Sequence, residues 1–71
     1  MQATDDLTVL RMKDLKDFIG LSRSKIYEML DPKSKRHDPE FPRQVRLGTA
    51  AVGWYRGEVI AWLESRRQQR G

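Results

Sequence analysis

The chain carries, at residues 12–31, the segment MKDLKDFIGLSRSKIYEMLD, which divides at Gly20. Before the glycine, apolar side chains recur at helical spacing, at Met12, Leu15, Phe18 and Ile19. Glycine often ends a helix because it adopts the left-handed backbone conformation without a steric cost. These features predict a first helix over residues 13–19 that stops at Gly20.

A second helix is predicted directly after the glycine. The hydroxyl of Ser22 can cap its N-terminus, and Pro32 disfavours helical geometry in the residue before it. Between these two boundaries an apolar stripe faces inward, formed by Ile26, Met29 and Leu30. Two helices joined through residues 18–22 have the length and the glycine of a helix-turn-helix.

Elements of a different kind flank the two helices. Residues 8–12 favour a short edge strand, and residues 45–47 and 52–55 alternate like the two strands of a hairpin. The apolar pattern is helical again from Arg56 onward, and Trp54 and Trp62 are expected to anchor the core. This order predicts a single winged helix-turn-helix domain, mainly α with a small β-hairpin.

The totals suit one small globule. The chain has 71 residues, of which 38% are hydrophobic and 34% charged, and it contains no cysteine that could form a disulfide or a thiolate site. We expect a disordered tail at residues 1–6, the domain at 7–67 and a frayed end at 68–71. With neither a signal peptide nor a long apolar run, the chain is expected to act in the cytoplasm, at the bacterial nucleoid, without membrane contact.

Catalytic and metal-binding patterns find little support in this sequence. It shows no nucleophile–base pairing at a readable spacing, no glycine-rich phosphate loop and no carboxylate cluster at ligand spacing. The single histidine, His37, is expected to face solvent, because a metal site without cysteine would need an unusual set of carboxylates. We therefore expect no enzyme activity, no catalytic residue, no metal and no cofactor.

The charge balance favours an acidic partner. The formal net charge is +4, and Arg43, Arg46 and Arg56 follow one another around the predicted hairpin without an acid among them. Such a group of arginines is suited to contact phosphates near one edge of the hairpin, and nucleic acid is the partner it favours. A solvated charged face is the alternative for each arginine taken singly.

The second helix has the distribution of side chains that a DNA-reading helix needs. Its outward side carries Arg23, Ser24, Tyr27 and Glu28, with Lys25 on the flank. Arginine can bond to guanine, serine can donate or accept, and tyrosine can reach a phosphate. An ordinary surface helix remains an equal alternative when this helix is taken alone. With the hairpin, the candidate DNA-binding residues are Ser22, Arg23, Ser24, Lys25, Tyr27, Arg43, Arg46 and Arg56.

The segment 31–42 between the second helix and the hairpin has two interpretations. Its basic residues Lys33, Lys35 and Arg36 can follow a phosphate backbone, or the segment can be a mobile surface loop. The second interpretation is favoured because Asp38 and Glu40 offset the basic charge. Phe41, at its end, is expected to pin the loop to the core.

Several ordered motifs resemble those of one known family. They are residues 21–27 (LSRSKIY), the pair Phe41–Pro42, and the segments 45–48 (VRLG), 52–54 (VGW) and 58–66 (EVIAWLESR). Together they resemble the AlpA family of phage-type regulators, over nearly the whole chain from residue 10 to residue 67. That family is similar in fold to the MerR-like winged-helix proteins and to small phage excisionases.

The resemblance implies a sequence-specific regulator of prophage or integrative-element genes, such as an integrase gene. It also implies that residues 22–30 form the DNA-reading helix, with Arg23, Ser24 and Tyr27 facing DNA, and that residues 43–55 form the wing. An excisionase that bends attachment-site DNA is an alternative, and so is an interaction module that docks an acidic partner. Integrase and RNA polymerase are possible protein partners. We expect a monomer in solution that binds double-stranded DNA cooperatively, because one helix and one wing have a small footprint.

Overall fold

The computed structural model describes residues 7–69, which form, in order, β1 (Val9–Leu10), α1 (Met12–Ile19), α2 (Arg23–Leu30), β2 (Val45–Arg46), β3 (Val52–Tyr55) and α3 (Arg56–Gln69). The types and order of these elements confirm the predicted fold class, a mainly helical winged helix-turn-helix with a small hairpin. The predicted tail at residues 1–6 lies outside the described residues, as do residues 70 and 71 of the predicted frayed end.

The turn between α1 and α2 forms as the sequence predicts. Gly20 has φ 73°, in the left-handed region, and its N–H donates to the carbonyl of Lys16 at 2.8 Å. Ser22 is the N-cap of α2, and its Oγ accepts from the N–H of Lys25 at 3.2 Å. These two local bonds set where α1 ends and where α2 begins.

The sheet is antiparallel with strand order β1-β3-β2. On one side Leu10 pairs with Trp54, and on the other Val45 pairs with Gly53. The expected edge strand before α1 is therefore confirmed, but its partner was not predicted: β1 extends the hairpin to a three-stranded sheet. The guanidinium of Arg11, which follows β1, also donates through Nε to the carbonyl of Val52 at 3.0 Å.

The core lies between the helices and the sheet. It consists of Leu15, Ile26, Phe41, Trp54, Val59 and Trp62. Both tryptophans are therefore core anchors, as predicted, and Phe41 packs its ring edge-on against Trp62 with centroids 4.9 Å apart. Since α1, α2, α3 and β3 each supply at least one buried side chain, their outward faces have fixed positions relative to one another.

Two apolar side chains lie further outward than predicted. Phe18 is 42% exposed because it lies on the opposite side of Leu15 from the rest of the α1 stripe, and its ring is covered in part by the guanidinium of Arg56. Leu47 is 45% exposed because β2 ends at Arg46 and the N–H of Leu47 closes the hairpin turn on the carbonyl of Ala51 at 2.8 Å.

The close approach of β1 to β3 requires glycine at position 53. A Cβ atom there would overlap Cγ1 of Val9 and lie 3.0 Å from the carbonyl oxygen of Leu10. Gly53→Ala should therefore lower the free energy of unfolding by about 1–3 kcal/mol, measured by chemical denaturation. Gly48→Ala is the matched control, since a Cβ at Gly48 meets nothing within 4 Å. Equal losses in the two variants would contradict this account of the strand contact.

Candidate nucleic-acid interface

The outward face of α2 is defined by the burial of Ile26. Because successive helix residues differ by about 100° in direction, Ser24 and Glu28, each two positions from Ile26, point about 160° away from it. Ile26 is fully buried, whereas Ser24 is exposed and Glu28 half-buried. The line through Ser24 and Glu28 is thus the side of α2 that is furthest from the core.

The two flanks of this face carry different side chains. On one flank the guanidinium carbon of Arg23 lies 5.8 Å from the centroid of the Tyr27 ring, at a distance typical of a cation–π contact. On the other flank Lys25 lines a cleft of about 490 Å³ between α2, the loop at residues 31–42 and Arg66 of α3. Arg23 and Tyr27 therefore lie on one flank of the outward face, Ser24 lies in its middle and Lys25 lies on the other flank. All four side chains are exposed.

The N-terminus of α2 can attract an anion. Its first turn contains no acidic side chain, and the exposed N–H groups of a helix start carry partial positive charge. Ser22 has a structural role here as the cap, because its Oγ accepts from Lys25 N–H. Its hydroxyl proton remains available to an outside acceptor such as a phosphate oxygen.

The three predicted wing arginines divide between the two edges of the sheet. Arg46 lies in the edge strand β2, and Arg43 borders a cleft beside Leu30 at the end of α2, and both side chains are exposed. Arg56 starts α3 on the β1 side, where its N–H donates to the carbonyl of Thr8 at 2.7 Å and its guanidinium covers Phe18. The expected grouping of all three near one edge is therefore not found.

The loop at residues 31–42 is packed against two helices through Asp38. The N–H of Asp38 donates to the carbonyl of Met29 in α2 at 3.0 Å. Its Oδ2 accepts from the indole N–H of Trp62 in α3 at 3.0 Å and also pairs with Arg66. Only 10% of the Asp38 side chain is exposed. The loop thus has defined partners in the structure, whereas the sequence favoured a mobile surface loop.

The sequence contains a local signal for this loop structure. Asp-Pro occurs twice, and in both places the aspartate accepts from the N–H two residues later: Lys33 to Asp31 Oδ1 at 2.9 Å, and Glu40 to Asp38 Oδ1 at 3.0 Å. Such turns are characteristic of aspartate before proline. The long-range bonds of Asp38 to Trp62 and Arg66 have no comparable local signal.

The packed loop also changes the charge on the outward face of α2. Arg36 extends from the loop, and its Nε lies 3.3 Å from Oε1 of Glu28. Glu28 is the single acidic residue of α2. Its charge is therefore compensated by the loop, and Arg36 is a residue of the candidate interface that the sequence analysis did not assign.

Other kinds of site are not evident in the part of the chain that the structure describes. Within residues 7–69, no group of three or more His, Asp or Glu side chains is placed to hold a metal ion. The helices in this range are too short or too polar to cross a membrane. His37 is exposed, as predicted.

Comparison with known proteins places this arrangement in a family. The family model described as prophage CP4-57 regulatory protein (AlpA) matches residues 8–67. The chain belongs to the AlpA family. A relative from Escherichia coli (strain K12), named DNA-binding transcriptional activator AlpA, is 40% identical over 58 residues, which cover 82% of this chain and 83% of the relative.

A second relative comes from a phage. The uncharacterized protein ORF88 of Enterobacteria phage P4 is 42% identical over 57 residues, which cover 80% of this chain and 58% of that protein. No solved structure matches the chain at a significant level. The AlpA-family match spans both helices of the helix-turn-helix, the hairpin and most of α3.

Loss of the Asp38 side chain should detach the loop from α3. Asp38→Ala leaves the indole N–H of Trp62 and the guanidinium of Arg66 without this partner, and should lower the free energy of unfolding by about 2 kcal/mol. Asp31→Ala, which removes the exposed turn bond of the other Asp-Pro pair, should cost about 0.5 kcal/mol. Urea titrations of both variants test the difference, and a larger loss for Asp31→Ala would contradict the role given to Asp38.

Proposed function

We propose that this protein binds double-stranded DNA sequence-specifically and regulates transcription of prophage or integrative-element genes, such as an integrase gene. The observation that carries the proposal is the exposed polar face of α2 in a small domain that also presents the exposed side chains of Arg43 and Arg46 at the start of the hairpin. The name of the Escherichia coli relative, a DNA-binding transcriptional activator, supports it.

In this proposal α2 enters the major groove with the line through Ser24 and Glu28 toward the base edges. The guanidinium of Arg23 can bond to a guanine, and Ser24 can donate or accept. Tyr27 and Lys25, on opposite flanks, then face the two phosphate backbones that border the groove. Ser22 and the first N–H groups of α2 contribute a further phosphate contact.

The wing supplies contacts outside the groove that α2 occupies. Arg46 on β2 and Arg43 at the end of the loop can neutralise phosphates, and each contact releases counterions and increases the dependence on salt. Arg56 lies at a different edge of the sheet, and in this proposal it contacts a DNA phosphate on the α1 side. Its guanidinium lies beside the exposed ring of Phe18.

This mechanism requires no catalytic residue, metal or cofactor. One helix and one wing cover few base pairs, so useful specificity would come from several copies bound side by side on repeated sites. We propose a monomer in solution that assembles cooperatively on DNA, at the bacterial nucleoid. Integrase or RNA polymerase is a candidate protein partner once the complex has formed.

The wing contact can be tested through the salt dependence of binding. Arg46→Ala should weaken binding to every duplex alike and reduce the slope of log K against log salt by about 1, measured by fluorescence anisotropy. Arg67→Ala removes the same charge and is the control, because Arg67 lies near the C-terminal end of α3 and pairs with Glu64 at 3.5 Å. An unchanged slope for Arg46→Ala would show that Arg46 contacts no phosphate and would contradict the role given to the wing.

Base reading by α2 predicts a different signature. Arg23→Ala should lower the affinity for a selected site far more than the affinity for random DNA, by about 1–3 kcal/mol of discrimination. An equal loss of affinity on both duplexes would show that Arg23 contacts a phosphate and reads no base. If the wild-type protein bound no duplex even at low salt, the alternative of a module that docks an acidic protein would be favoured.

A further inference from the structure

Glu28 occupies an unexpected place for an acidic residue. It lies on the outward line of α2, which the proposed function directs at DNA, and its side chain is 44% exposed. A carboxylate beside phosphates is repelled, so an acid on this face lowers the affinity for any duplex unless its charge is compensated or used.

The loop provides the compensation through Arg36. The Arg36 Nε lies 3.3 Å from Glu28 Oε1, while 63% of the Arg36 side chain stays exposed. The loop backbone at this point is held by local bonds, since the N–H of Arg36 donates to Ser34 Oγ at 3.1 Å and that of His37 to the carbonyl of Ser34 at 3.1 Å. Asp38, two residues further on, joins the loop to α2 and α3. The backbone that carries Arg36 therefore has a defined position beside Glu28.

Arg36 faces Oε1 of Glu28, and because 44% of the Glu28 side chain is exposed, the carboxylate can still accept a hydrogen bond from outside the protein. A carboxylate only accepts hydrogen bonds, so it needs a donor on the base edge. In the major groove guanine presents acceptors, thymine an acceptor and a methyl group, and adenine a donor next to the acceptor N7. Cytosine presents the N4 amino group alone, and it is the base that a carboxylate accepts from without repulsion.

We propose that Glu28 reads a cytosine in the DNA site by accepting from its N4 amino group, and that Arg36 is the positioning residue that orients the carboxylate. This inference rests on the proposed function, since it needs α2 in the major groove. It assigns the loop at residues 31–42 a part in specificity: the loop holds Arg36 against the reading helix. Arg36 also cancels the repulsion between Glu28 and the phosphates.

The test is selection of bound duplexes from a randomised pool with wild-type protein and with Glu28→Gln. Wild type should enrich sites with a cytosine at one position. Glutamine bonds to the N6 and N7 of adenine, so Glu28→Gln should select adenine at that position and leave the other positions unchanged. On duplexes that differ only there, the ratio of the affinities for cytosine and adenine should be above 1 for wild type and below 1 for Glu28→Gln, a change of about tenfold or more.

Glu58→Gln is the matched control, because it makes the same chemical change at an exposed acid of α3. It should retain the wild-type motif. Arg36→Gln tests positioning: it should weaken the preference for cytosine without introducing one for adenine, whereas a residue that only fastens the loop would change stability and leave the motif intact. Circular dichroism of each variant checks that the fold is kept.

The outcomes separate this inference from the proposed function. If wild type enriches a motif and Glu28→Gln enriches the same one, with uniformly tighter binding, the Glu28–Arg36 pair only compensates charge and the inference is wrong. If wild type enriches no motif, sequence-specific DNA binding itself fails and the inference falls with it. A change of motif in Glu58→Gln equal to that in Glu28→Gln would also overturn the assignment.

Discussion

The double pairing of β3 is the constraint on which the rest of this structure depends. Val52–Tyr55 is the central strand, with β1 on one side and β2 on the other, and it continues directly into α3. Its residue Trp54 is fully buried, and Gly53 allows β1 to approach closely. A domain of this size has few places to bury an indole. Once Trp54 is buried, pairing with β3 fixes the positions of β1 and β2. The starts of α1 and α3 are then fixed as well, because α1 follows β1 and α3 follows β3.

Asp38 extends this constraint to the surface that we propose for DNA. Through its bonds to Met29, Trp62 and Arg66 it fixes the loop between α2 and α3, so the loop and the outward face of α2 form one continuous surface. Arg36 reaches Glu28 from that loop. A largely covered aspartate thus connects the core to the side chains that would select a base. A loop that already has a defined position loses little backbone entropy on binding.

The local boundaries of this fold could be read from the sequence, because each depends on one residue and its neighbours. Gly20, Ser22 and Pro32 delimit the two helices through backbone conformation and capping, and Trp54 and Trp62 anchor the core as expected. The contacts that join distant segments could not be read, since no local pattern encodes the pairing of β1 with β3 or the bond of Asp38 to Trp62. Phe18 shows a limit within one helix: its spacing fits the apolar stripe, but its place at the stripe's edge leaves it outside the core. The outward residues of α2 depend on helical spacing alone and were predicted. The partner of Glu28 comes from the loop, outside the helix, and was not predicted.

The central claim is that α2 and the wing form one DNA-binding surface, and NMR titration of the labelled protein with a duplex tests it most directly. The account predicts that backbone amide signals shift in residues 22–28 and 45–51, with little change at Glu58 and Ala61 of α3, which line a separate cleft. Shifts concentrated on α3, with those of α2 unchanged, would contradict it.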